Sequence, residues 1–100
     1  MKVSVQSIHF DADITLVSFI KDKVEKLATF HDRIINGEVF LRLDKNDTHE
    51  NKIAEIRVMV PGRELFARKQ CRTFEEAADT AVDALRKQIQ KYRSQTNQAS

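Results

Sequence analysis

The chain has one cysteine, one proline, two glycines and no tryptophan among its 100 residues. A lone Cys71 permits no internal disulfide, so folding has to rest on a packed core, and the thiol fits a reducing compartment. The only glycines, Gly37 and Gly62, stand far apart at expected turns, which excludes a glycine-rich phosphate loop. Long apolar runs are missing too. Nothing approaches the ~20 residues of a membrane span, and the N-terminus opens on a strand-like alternation instead of an apolar leader or an Arg/Ser-rich transit segment. These absences point to a cytoplasmic protein with no membrane partner. Excess charge of one sign is also lacking: 17 Lys and Arg against 15 Asp and Glu leave a net charge of +2. Attraction to a polyanion would therefore have to come from segregated charge.

What is present suits one domain. Hydrophobic residues make up 41% of the chain and charged residues 32%, enough for a single modest core under an ordinary soluble surface. Residues 1–93 are expected to form that domain, with 94–100 as a short, polar, frayed tail.

Lys2 to Phe10 alternates loosely (Val3 and Val5, then Ile8 and Phe10) and reads as a first strand. Asp13 is placed to cap a first helix of about 18 residues, in which Leu16, Val17, Ile20, Val24, Leu27, Ala28 and His31 recur at helical spacing until Asn36-Gly37 breaks the pattern. Val39, Leu41 and Leu43 alternate with polar neighbours or Phe40, and Ala54, Ile56, Val58 and Val60 do the same after the polar stretch Asp44 to Lys52. Two strands of a hairpin follow from this. Pro61-Gly62 turns the chain into a fourth strand through Leu65 and Ala67, and Thr73 with Glu76 forms a capping box for a second helix. The order β-α-β-β-β-α predicts an α+β fold of two layers. A strand, crossover helix and strand return parallel, the later hairpins add antiparallel neighbours, and the result is a mixed four-stranded sheet. Each helix has one apolar stripe, so both pack on the same sheet face. The opposite face would carry Arg42, Glu55, Arg57 and Arg68, with Phe40, Ile53, Met59 and Phe66 partly exposed among them, and weak self-association through it stays open.

The second helix places Glu75, Glu76, Asp79 and Asp83 before Arg86, Lys87, Lys91 and Arg93. Acids first and bases last would by themselves complement the helix macrodipole, at roughly 0.3–1 kcal/mol per charge. At 100° per residue, however, Lys87 and Lys91 lie a turn apart on the face opposite the apolar stripe. On the first helix Phe19, Lys23, Lys26 and Phe30 share one flank by their spacing of four, three and four. Lysines there could neutralise phosphates while the rings stack on unpaired bases; alternatively the rings are edge-of-core residues under lysine stems. Set side by side, the helices offer Lys23, Lys26, Arg86, Lys87, Lys91 and Arg93 as one layer of cations that suits RNA.

Catalysis finds little support. His9, His31 and His49 fall on different predicted elements, none with a second ligand at metal spacing, and the segment Asp44 to Glu50 lacks the glycine and ligand order of a calcium loop. It reads as a solvated hairpin turn. Lys69 and Arg72 could lower the Cys71 thiol pKa, but a strand cysteine is most often a small buried hydrophobe. No enzyme activity, cofactor or metal is expected.

Three segments together resemble one known family. They are Lys23-x-x-Lys26-Leu27 with His31-Asp32-Arg33-Ile34; Val58-Met59-Val60-Pro61-Gly62 with Ala67-Arg68; and Ala77-Ala78-Asp79 leading to Leu85-Arg86-Lys87-Gln88-Ile89-Gln90-Lys91-Tyr92-Arg93. Over roughly residues 1 to 93 the chain resembles the ribosome hibernation-promoting factors, also called the ribosome-associated inhibitor or protein Y type. It differs from many members at Ala84 and Glu75, where they often carry a basic residue and a Tyr. The resemblance implies a β-α-β-β-β-α domain similar to double-stranded-RNA-binding domains, lying on the small ribosomal subunit across the tRNA and messenger path. Family basic positions map onto Lys23, Lys26, Lys87 and Lys91, with Arg86 and Arg93 close enough to assist. It implies the small subunit and whole ribosome, with 16S-type rRNA, as partners for a chain that is a monomer off the ribosome. As a short form, it would either work with a separate ribosome modulation factor to pair ribosomes or block single ones, in stress or stationary phase. Two other readings stay open: a generic structured-RNA-binding domain, and an interaction module for an acidic protein.

Overall fold

The computed structural model describes residues 1–46 and 49–98. The elements run β1 (Lys2–Ser7), α1 (Ile14–Glu25), a 3₁₀ turn (Lys26–Thr29), β2 (Asn36–Leu43), β3 (Lys52–Val60), β4 (Arg63–Cys71) and α2 (Phe74–Gln98). The sheet order is β1-β2-β3-β4, with β1 parallel to β2 and the other two pairings antiparallel. α1 packs over β1 and against α2, while α2 lies over β3 and β4, so both helices cover one face of a mixed four-stranded sheet.

Sequence explains most of these boundaries. In β1, Val3 and Val5 turn toward the helices and Lys2, Ser4 and Gln6 away. The strand stops at Ser7 rather than Phe10 because His9 adopts φ 64°, a left-handed conformation that histidine tolerates better than most side chains. Phe10, released from the strand, stacks on Phe74 with ring centroids 5.1 Å apart and ties the start of α1 to the start of α2. Asp13 stands where an N-cap belongs and its carbonyl accepts from Val17 N at 3.0 Å, but its carboxylate makes no capping bond. α1 spans 12 residues and then tightens, with Thr29 Oγ1 donating to the Lys26 carbonyl at 2.7 Å and Phe30 N to the Leu27 carbonyl at 3.0 Å. Ala28 consequently faces solvent, and His31 lies beyond the helical stretch.

Asn36-Gly37 is not a turn but the start of β2. A Cβ at Gly37 would stand 3.1 Å from Val24 Cγ1 and 3.3 Å from Met1 Cε, so a bare α-carbon is what lets α1 cross the strand here. Gly62, with φ 77°, closes the Pro61-Gly62 turn between Val60 and Arg63 as expected. Tyr92 Oη donates to the Pro61 carbonyl at 2.9 Å and ties the far part of α2 to that hairpin. At the near end, Thr73 Oγ1 accepts from Glu76 N at 3.0 Å, the forward half of the capping box. α2 remains helical through Gln98, past the frayed end expected from Ser94, and Arg63 Nη1 donates to Gln95 Oε1 at 3.1 Å. The β2–β3 loop is held at its base: Asp44 accepts from Asn46 N at 2.9 Å and from Gln70 Nε2 at 2.8 Å, and both bonds lower its carboxyl pKa. Part of the expected solvated turn, residues 47 and 48, lies outside the described residues.

The core is apolar throughout. Ile20, Val24 and Leu27 meet Val39, Leu41, Ile56 and Val58 from below and Ala77, Ala78, Ala81, Leu85 and Ile89 from the side, all fully enclosed. The alanines matter because small side chains let α2 sit close to the sheet. Two positions depart from the alternation. Leu43 ends β2 and is exposed where the alternation groups it with the core, whereas Ile53, expected on the open face, is buried.

Candidate nucleic-acid interface

The six cations expected to bind rRNA reach the surface from two elements. Lys23 is on α1 and Lys26 opens the 3₁₀ turn that extends it; Arg86, Lys87, Lys91 and Arg93 are on α2. Because α1 lies against α2, a groove of about 460 Å³ forms between them, lined by Lys23, Lys26, Phe30, Asp79, Asp83 and Arg86 with Val82 and Thr29. Its walls carry the interleaved basic and aromatic groups that the spacing on the first helix suggests. Lys23 Nζ stands 5.6 Å from the Phe19 ring centre and the Arg86 guanidinium 5.8 Å from that of Phe30. Phe19 is 37% exposed, so a ring face stays open there, while Phe30 is half-buried against the core.

Lysine and arginine do not stand alone in this groove. Lys23 Nζ pairs with Asp79 at 3.0 Å, joining residues 56 apart in sequence. Asp83 holds Arg86 Nη2 at 2.8 Å and Lys87 Nζ at 3.5 Å, three and four residues along the same helix. The Arg86 hydrogen bond, followed by the Lys87 charge, lowers the Asp83 carboxyl pKa, so this acid stays ionised wherever the chain is folded near neutral pH. Two aspartates thus act as internal counter-ions to three of the six cations. Lys26 and Lys91 have no ion-pair partner among the described residues.

The remaining positions are not equivalent. Stepping 100° per residue, Lys87 is turned roughly 100° and Lys91 roughly 140° from Arg86, so these two point outward from the helix layer instead of into the groove. Arg93 Nη1 donates to the Phe30 carbonyl at 2.7 Å and closes the end of the 3₁₀ turn, beside a small cleft lined by Thr29, His31 and Asp32. There His31 meets the Tyr92 ring edge-on at 5.3 Å. One cation row therefore lines the groove and a second stands above it.

Asp83 gives this layer a testable polarity. Changing Asp83→Asn keeps the side-chain shape, removes the charge that Arg86 and Lys87 share, and leaves both free to meet phosphate. Ribosome or RNA affinity is expected to rise a few-fold at moderate salt, with the salt slope steepening by roughly one phosphate's worth, ~0.7 to 0.9. Weaker binding of a folded Asp83→Asn protein would show instead that the acid positions the two cations.

The other chemistry considered takes a definite form. Burial and the Glu76 carboxylate push the Cys71 thiol pKa up against the opposing Thr80 hydrogen bond and Lys69 charge, so the group is a thiol and a poor nucleophile at neutral pH. Among the described residues no group of three or more His, Cys, Asp or Glu is placed to hold a metal, and no helix is long and apolar enough to cross a membrane.

The architecture defines a two-layer α+β domain that presents a pair of helices on one side and an uncovered sheet on the other. The chain belongs to the family described as Sigma 54 modulation protein / S30EA ribosomal protein, whose model matches residues 3–97. It is 24% identical over 93 residues to a ribosome hibernation promoting factor of Pseudomonas putida, an alignment that covers 93% of this chain and 87% of the relative. Solved structures share the fold, two of them over nearly the whole chain. A ribosomal subunit interface protein from Coxiella burnetii superposes with a TM-score of 0.83 at 20% identity, over 94% of this chain and 99% of that one. The protein Y N-terminal domain from Thermus thermophilus gives 0.74 at 22% identity, over 91% and 94%.

Proposed function

We propose that this chain is a cytoplasmic, ribosome-associated translation inhibitor that binds the small subunit at its decoding and tRNA region and so holds idle ribosomes in hibernation. Family membership and the hibernation promoting factor among its relatives supply the ribosome. The observation that carries the binding surface is the juxtaposition of α1 and α2, which gathers cations from opposite ends of the chain into one layer. Inhibition on this reading is occlusion: a compact domain fills space that tRNA and messenger need, held by phosphate contacts and the shape of 16S-type rRNA. No bond is made or broken. Off the ribosome the chain is a monomer.

Co-sedimentation with small subunits and whole ribosomes across a salt series tests this. If about five phosphates are neutralised, the log-log slope of affinity against salt should be near −3.5 on the single-strand coefficient of ~0.7 per phosphate, and steeper on helical RNA. Free structured RNA that competes as well as ribosomes do would reduce the protein to a general RNA binder. Complexes that survive nuclease would move the partner to an acidic protein. Co-sedimentation that ignores salt would sink the phosphate-contact reading.

A further inference from the structure

The sheet face turned away from the helices also carries planar groups in a fixed array. Strand register sets Glu38, Arg57 and Phe66 in one row across β2, β3 and β4, and Phe40, Glu55 and Arg68 in the next. Phe66 is 45% exposed on the edge strand, directly across from Arg57. Arg57 lies between the two rings, its guanidinium 5.8 Å from the Phe40 ring centre and its cross-strand partner Phe66 on the other side. Glu64 reaches Arg57 only at 3.9 Å. Glu55 is spanned by Arg42 at 2.9 Å and Arg68 at 3.3 Å, so both arginines are held upright at about half exposure. Beyond Arg42, a cleft of about 150 Å³ brings in His9 and Lys45 with Ile8 and Leu43.

We infer that this open face is a second binding surface, for a short unpaired stretch of RNA whose bases stack on Phe66, Arg57 and Phe40 while its phosphates run toward Arg42 and Lys45. Rings and a guanidinium on a rigid sheet offer successive planar faces to bases, and stacking accepts any base because every base has a π-face. Arg42, Arg57, Arg68 and Lys45 line the track beside Glu38, Glu55, Glu64 and Asp44, and Glu55 is already shared between two arginines while Asp44 is held by Gln70. A second copy of this chain fits the face less well. Its centre is charged, dimer interfaces are depleted of charge at the centre, and burying these arginines against their own kind leaves them short of acceptors. The surface is independent of the helix layer, and stands whether or not that layer is the ribosome contact.

Titration of the ¹⁵N-labelled full chain with the hexamers rU6 and rA6, too short and uniform to pair, tests the inference. Amide shifts are expected at Phe40, Arg57 and Phe66, with Phe66→Ala weakening binding roughly tenfold and Phe66→Trp retaining it, as loss and retention of one stacked base predict. In the variant with Lys23, Lys26, Lys87 and Lys91 changed to Glu, any hexamer binding at the helix layer is removed, and the shifts at Phe40, Arg57 and Phe66 should titrate within roughly threefold of wild type, since those charges act across more than a Debye length. Because Phe66 is exposed on an edge strand, its substitution should leave the rest of the spectrum in place. Shifts confined to the helices, affinity indifferent to Phe66, or sheet-face shifts that grow with protein concentration in the absence of RNA would each overturn the inference, the last in favour of self-association.

Discussion

Changing Lys23, Lys26, Lys87 and Lys91 together to Glu is expected to leave a folded protein that stays at the top of a ribosome gradient on which the wild type travels down. The substitutions move the net charge from +2 to −6, two units at each position. On the proposed function four attractive phosphate contacts would become repulsive, and the loss should be roughly a hundredfold or more in affinity at moderate salt. Folding should survive. Lys26, Lys87 and Lys91 are exposed, and Lys23 spends its charge on Asp79, an acid with 64% of its side chain in solvent. Lys23→Glu then sets two acids against each other, a local cost that the surface dilutes. Bulk repulsion has to be separated from loss of the site, so the comparison is a protein with the same net charge in which Lys2, Lys52, Lys69 and Arg72 carry the Glu substitutions instead. If the helix variant fails and the charge-matched one binds, the helix layer is the contact. Equal loss in both would make the effect one of net charge, and equal binding would put the contact on another surface.

Much of this arrangement could be read in the residues before any coordinates. The apolar stripes of the two helices, the alternation in β2 and β3, and Pro61-Gly62 specify elements through local geometry alone, and each element is where its pattern puts it. Boundaries fared less well where tertiary contact overrode local signal. Asn36-Gly37 reads as a turn in isolation, yet the glycine is there because α1 crosses β2 within contact of its α-carbon. His9 stops β1 by a backbone conformation with no sequence marker beyond histidine's tolerance of it. The cations of the groove were legible, and so was the i, i+3 and i, i+4 spacing that ties Asp83 to Arg86 and Lys87, although it reads first as a macrodipole pattern. The Lys23 to Asp79 pair was not. Nothing within either helix indicates that residues 56 apart will face each other across a groove, so the degree to which the basic layer is neutralised from within emerges only from packing.

The packing that sets this layer should fail first at Leu85. Its side chain is fully enclosed in the core beneath α2, one residue before Arg86 and two before Lys87. Leu85→Ala removes most of a buried side chain from a position hemmed in by other core residues, and the expected loss is about 2–5 kcal/mol, transfer and cavity together. For a domain of this length total stability is on the order of 5–15 kcal/mol, so a substantial part of it, about a third at mid-range, is at stake. The melting temperature should fall by roughly 10 °C or more, and the urea midpoint should drop with an unchanged slope. Lys91→Ala, two turns away on the exposed face, should stay within about 0.5 kcal/mol of wild type while weakening RNA binding. That contrast separates what the two kinds of residue do: Leu85 holds α2 against the sheet, and only with α2 held does it lie against α1 with the cations of both in one layer. Below the Leu85→Ala melting transition, binding should be nearly intact, since the surviving folded molecules carry the same charges. A loss smaller than about 1 kcal/mol for Leu85→Ala would mean that the core beneath α2 collapses easily around the cavity. The helix pair would then be a looser platform for the basic groups than their shared groove implies.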